Sequence, residues 1–90
     1  MISVEAATAL TRVYSALSYP TRIRILDMLR DGSLDVTTIH TNLGGSQGNT
    51  SYHLGLLRAA GLVWTEREEK RIYYHLSLVG RRAIERQVAA

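Results

Sequence analysis

The chain has 90 residues, a net charge of +3 and no cysteine. That length supports one domain, expected to span residues 1–90, and no stretch approaches the ~18 apolar residues of a membrane span. Without cysteine there can be no disulfide framework, thiolate metal site or thiol redox chemistry. Met1-Ile2-Ser3-Val4-Glu5 has neither a basic start nor a long apolar core, so no signal peptide is expected. One small core is marginal, so a second copy of the chain is an expected source of further burial.

Charge is more informative by position than in total. Residues 1–57 hold four Arg and four acids, whereas residues 58–90 hold six Arg, one Lys and four Glu, so the positive balance sits in the last third. Between Val36 and Thr65 there is no carboxylate. That distribution suits a polyanionic partner, although ordinary solvation accounts for it equally simply.

Leu10, Val13, Tyr14 and Leu17 recur at three- and four-residue spacing, which predicts a first helix over 4–18 with one apolar stripe. Pro20 breaks it and can open a second helix at its first turn. Ile23, Leu26 and Leu29 or Arg30 are expected on that helix's inward side, with Gly32 as the stop. Asp35 is a candidate N-cap for a short third helix with Ile39 and Leu43 inward. Gly44-Gly45 reads as a tight turn, and Ser46 as the N-cap of a fourth helix ending near Gly61. The period then changes. Residues 62–65 and 72–76 read as two strands of a hairpin, with the charged run 66–71 as its tip. Ser77 can cap a last helix with Val79, Ala83, Ile84 and Val88 on its apolar side.

Two short helices joined by a glycine-containing turn form a helix-turn-helix unit, here over 35–43 and 46–60. The second has an apolar side of Thr50, Leu54 and Leu57. Its other side, near the N-terminus, carries Gln47, Asn49, Ser51 and Tyr52. Those are uncharged hydrogen-bonding groups at the helix end whose dipole favours phosphate, and Gln and Asn can pair with adenine through two hydrogen bonds. Gly48 leaves room for a close backbone. The bland alternative is an amphipathic helix with a solvated polar face. In the hairpin, Arg67, Lys70 and Arg71 can lie along phosphates, while Glu66, Glu68 and Glu69 work against that.

The run Tyr19-Pro20-Thr21-Arg22-Ile23-Arg24-Ile25-Leu26, the segment SQGNTSYHLGLLRAAGLV over 46–63 and KRIYYHLS over 70–77 resemble the ArsR-type winged-helix repressors. The likeness covers about residues 10–77. It implies a mainly α winged helix-turn-helix fold, in the order α-α-α-α-β-β-α with a two-stranded wing. It also implies a dimeric, cytoplasmic, nucleoid-associated regulator that binds double-stranded DNA and is usually released by an inducer. The family's metal-binding cysteines would fall on Asp35 and Thr37, and the last helix lacks the His and acids of the family's other metal site. Neither metal nor any other cofactor is therefore expected.

Three histidines remain. His53 matches the family's recognition-helix histidine and reads either as an edge-of-core packing group or as a base reader. Its protonation near pH 6 is a candidate modulator of binding. His75 is expected to be structural and His40 exposed. Gly44-Gly45-Ser46-Gln47-Gly48 lacks the Lys and spacing of a phosphate-binding loop, and no nucleophile or HExxH motif is present, so an enzyme is not expected.

The resulting expectations are specific. Gln47, Asn49, Ser51 and Tyr52 read bases. Ser46, Arg58, Arg67, Lys70 and Arg71 hold phosphates. Leu10, Val13, Tyr14, Leu17, Val79, Ala83, Ile84 and Val88 form a dimer interface, unless Leu17 and Ile84 only close the protomer's own core. A winged-helix module that docks a protein is the alternative. RNA binding ranks lower, because no aromatic stacking platform is interleaved with the basic residues.

Overall fold

The computed structural model describes residues 1–88, with side chains through residue 86. Helix α1 spans Val4–Ala16, and the Ser3 side chain accepts from the Ala6 N–H at its start. Helix α2 spans Pro20–Met28, with Pro at its first position, and passes into a 3-10 turn, Leu29–Asp31, that stops at Gly32. Strand β1, Leu34–Asp35, precedes helix α3, Val36–Leu43. Helix α4 runs Gln47–Ala59, strands β2 and β3 run Val63–Glu68 and Arg71–Leu76, and helix α5 runs Leu78–Val88.

The predicted caps form. The Asp35 side chain accepts from the Thr38 N–H, and that of Ser46 from the Asn49 N–H at 3.1 Å. Ser77 does the same for Gly80 at 2.9 Å and also donates to the Gly61 carbonyl at 2.7 Å, tying α5 to the end of α4. Gly44 and Gly45 both take positive φ, 76° and 75°. Two successive left-handed residues suit glycine far better than any side chain, and they swing the chain from α3 into α4.

Three features depart from expectation. The wing belongs to a three-stranded antiparallel sheet of order β1-β3-β2, because Leu34 and Asp35 pair with Tyr74 and Tyr73. A two-residue strand is too short to leave a periodic signal. The hairpin is also tighter than the six-residue tip expected: Glu68 pairs with Arg71, leaving only Glu69 and Lys70 in the turn, with Glu69 at φ 56°. On α2, the fully buried residues are Ile25, Leu26 and Leu29, with Arg22 beside them, while Ile23 is half-buried. The inward stripe is thus 22-25-26-29, a helical spacing with an arginine at its head.

Ile25, Leu26, Leu29, Ile39, Leu54, Leu57, Leu62 and Ile84 are sealed from solvent in one cluster. Ile84 therefore closes the protomer's own core and is withdrawn from the interface set. Helix α5 can pack so closely because it carries Gly80: a Cβ there would sit within clashing distance of the Leu62 carbonyl oxygen and 3.0 Å from Leu76 Cδ1.

Candidate nucleic-acid interface

Helix α4 is anchored on one side and free on the other. Thr50, His53, Leu54 and Leu57 are buried, whereas Gln47, Asn49, Ser51 and Tyr52 are exposed, Tyr52 at 62%. The anchoring is polar as well as apolar. Thr50 Oγ1 lies 3.1 Å from His40 Nδ1, across the α3–α4 turn, and 3.3 Å from the Ser46 carbonyl. His40 is therefore half-buried rather than exposed: it holds the two helices at their crossing. Ser46 is exposed, with its oxygen engaged in the cap and its hydroxyl proton free to donate.

His53 is 6% exposed, and its Nδ1 is sealed without a hydrogen-bond partner among the described residues. Its ring lies between those of Tyr19, at 5.9 Å, and Tyr52, at 5.6 Å. Burial, and secondarily the nearby Arg22 guanidinium, push its pKa below the ordinary value. Of the two roles open to it from sequence, this placement supports packing behind the reading face. Protonation is correspondingly displaced to more acidic conditions.

A pocket of about 180 Å³ joins the opening of α2 to the N-terminal half of α4, with Thr21, Arg24, Asn49 and His53 among its walls. Arg24 is exposed there, beside the base-reading face. It was not selected from sequence, although its place two residues after Arg22 on α2 carried the signal.

The wing is less uniformly basic than its composition. Arg67 and Lys70 are exposed, with Arg67 Nε donating to the Glu69 carbonyl at 3.3 Å. Arg71 is also exposed, but its Nη1 pairs with Asp35 Oδ2 at 3.3 Å. Asp35 is held below the usual carboxylate range, first by the Thr38 hydroxyl, then by the Thr38 N–H and Arg71, against the opposing effect of desolvation. Arg71 thus serves the sheet as well as the surface. On the same face His75 stacks on Trp64 at 4.0 Å and 10°, with its Nε2 3.2 Å from Glu66 Oε1. Arg58 is exposed near the end of α4.

Away from these elements, Leu10, Val13, Tyr14, Leu17, Val79 and Ala83 line one groove of about 400 Å³ between α1 and α5, together with Arg82 and Arg86. Leu10, Tyr14 and Val79 are 46%, 67% and 52% exposed. Val88 falls outside the residues whose side chains are described. Among the described residues no group of three His, Asp or Glu side chains stands close enough to hold a metal ion. No described helix is long and apolar enough to cross a membrane.

A short-turn helix pair with an anchored, outward-facing second helix, followed by an antiparallel wing, defines a winged helix-turn-helix domain. The chain belongs to the bacterial regulatory protein arsR family, whose sequence model matches residues 19–65. It is 34% identical over 68 residues to the transcriptional repressor SdpR of Bacillus subtilis, covering 76% of each chain. It is 38% identical over 72 residues to the transcriptional regulator NmtR of Mycobacterium tuberculosis, covering 80% of this chain. The chain spans only 60% of the length of NmtR. Among solved structures, a homodimeric winged helix-turn-helix DNA-binding domain from Mycobacterium bovis superposes with a TM-score of 0.82 at 31% identity, over 99% of this chain and 84% of that one. The family is one of transcription regulators.

Proposed function

We propose that the chain is a transcriptional repressor that binds an inverted repeat in double-stranded DNA as a homodimer. One observation carries this reading: the exposed N-terminal side of α4 is uncharged and rich in hydrogen-bonding groups, while the opposite side is locked into the core. A major-groove reader needs that division, since a mobile helix would lose the geometry of paired hydrogen bonds and a carboxylate would be repelled by phosphate. Gln47, Asn49, Ser51 and Tyr52 face bases. Ser46, Arg58, Arg67 and Lys70 hold phosphates and fix register, with Arg24 added at the opening of α2 and Arg71 as a weaker contact. The α1–α5 groove forms the two-fold interface, which sets half-sites about one helical turn, roughly 34–36 Å, apart.

The relatives support the reading: SdpR is named a repressor, and the Mycobacterium bovis domain is described as homodimeric and DNA-binding. The chain acts by binding alone, without catalysis, metal or cofactor, in the cytoplasm where its DNA lies. Selection of bound duplexes from a random pool, followed by a mobility shift at moderate salt, tests it. The expected result is a shared inverted repeat that competes far better than random duplex. Recovery of no common motif, with equal competition by random DNA, removes the reading and leaves a winged helix that docks a protein.

A further inference from the structure

Arg22 is 4% exposed, and its Nε is sealed from solvent with no hydrogen-bond partner among the described residues. Its guanidinium rests 4.5 Å over the Tyr19 ring, and no described carboxylate lies within ion-pair reach. A buried cation without a counter-charge is costly, and one cation–π contact offsets only part of that cost.

The same arginine lines a pocket of about 280 Å³ between α1 and α4, near the lower end of the ~300–1,000 Å³ typical of small-molecule sites. Ser15 and Arg12 stand at its polar side, and Leu56 and Ala59 at its apolar side. Thr11 contributes its methyl group, since its hydroxyl already donates to the Ala7 carbonyl at 2.9 Å. The pocket opens away from the α1–α5 groove: Thr11 and Ser15 lie two residues from Val13 and Leu17, about 200° around the helix.

We propose that this pocket binds a small organic carboxylate, with its anionic end on Arg22 and its apolar body against Leu56 and Ala59. Two alternatives fit less well. A DNA phosphate cannot reach a side chain so deeply covered, and an inorganic anion would leave the apolar wall wet. The site goes beyond the DNA-binding reading, and its test does not involve DNA.

The full chain is titrated separately with benzoate, butyrate, benzamide and inorganic phosphate, and followed by amide and histidine NMR shifts and by thermal denaturation. Benzoate or butyrate should give saturable shifts along α1 and α4 and raise Tm, with benzamide and phosphate nearly silent. The His53 titration should move upward as the bound anion offsets the Arg22 charge. Arg22→Gln should weaken binding by about tenfold or more, as loss of a charge-assisted contact does. Ala59→Phe, which fills the pocket and leaves Arg22 in place, should abolish it. If Arg22→Gln does not fold, the acid–amide comparison and Ala59→Phe decide. An equal response to benzamide or phosphate, no saturable response to either carboxylate, or binding unchanged in Ala59→Phe overturns the proposal.

Discussion

Two side chains on α4 show how position sets role. Gln47 is exposed at the first helical position, where it can donate and accept on one base edge. Gln47→Ala should cost roughly 1–3 kcal/mol on the selected duplex and relax one base preference. Parallel titrations on selected and random duplexes check this, and an equal loss on both would reduce Gln47 to a backbone contact. His53 is the buried counterpart. Its pKa is lowered in the folded chain by burial and then by Arg22, so the unfolded chain binds the proton more readily. No penalty applies above the ordinary value of 6.5, and stability falls as pH drops through it toward the folded value. Urea midpoints should therefore decline between about pH 7.5 and 5.5, and His53→Gln should flatten that decline. A midpoint in the wild-type chain that does not change over this interval would contradict the assignment.

At the scale of elements, the wing and the last helix each depend on one unusual contact. In the wing, Arg67 and Lys70 have no carboxylate partner among the described residues, whereas Arg71 is paired with Asp35. Arg67→Ala and Lys70→Ala should each flatten the salt dependence of DNA affinity by about one unit of log–log slope. Arg71→Ala should flatten it less, because part of its charge is already answered, and should loosen the β1–β3 pairing instead. Affinity measured across a salt series separates the two behaviours. In α5, Gly80→Ala places a methyl group against the Leu62 backbone, which cannot swing aside as a side chain would. The helix must shift outward, at a cost of roughly 1–3 kcal/mol for overpacking. Thermal denaturation reads that loss, and an unchanged Tm would show that α5 sits farther from Leu62.

For the whole molecule, the governing question is how 90 residues bury enough apolar surface. One cluster is fully closed within the protomer, yet Leu10, Tyr14 and Val79 remain exposed along a single groove. A second copy related by a two-fold axis covers that groove with the same groove. Tyr14→Asp sets two like charges facing each other there, so the variant should sediment as a monomer at micromolar concentration. Its helical circular dichroism should be retained while its DNA affinity falls sharply. Sedimentation velocity checks the first point, and a variant that remains dimeric would move the interface elsewhere.

Much of this organisation could be read from the chain itself. The three caps, the Gly44-Gly45 turn and the two faces of α4 rest on interactions spanning four residues or fewer, so spacing alone reveals them. The amphipathic split of α4 also placed the reading face correctly on the solvent side. Other features rest on contacts between distant segments. Arg71 meets Asp35 across 36 positions, and Arg81 donates to the Arg30 carbonyl across 51. Gly80 lies against Leu62 only because α5 returns over the end of α4. The burial of Ile84, the third strand and the uncompensated charge of Arg22 arise in the same way. Periodicity states which side of a helix seeks cover, but only the packed chain decides what provides it, because burial is shared among segments that no local spacing brings together.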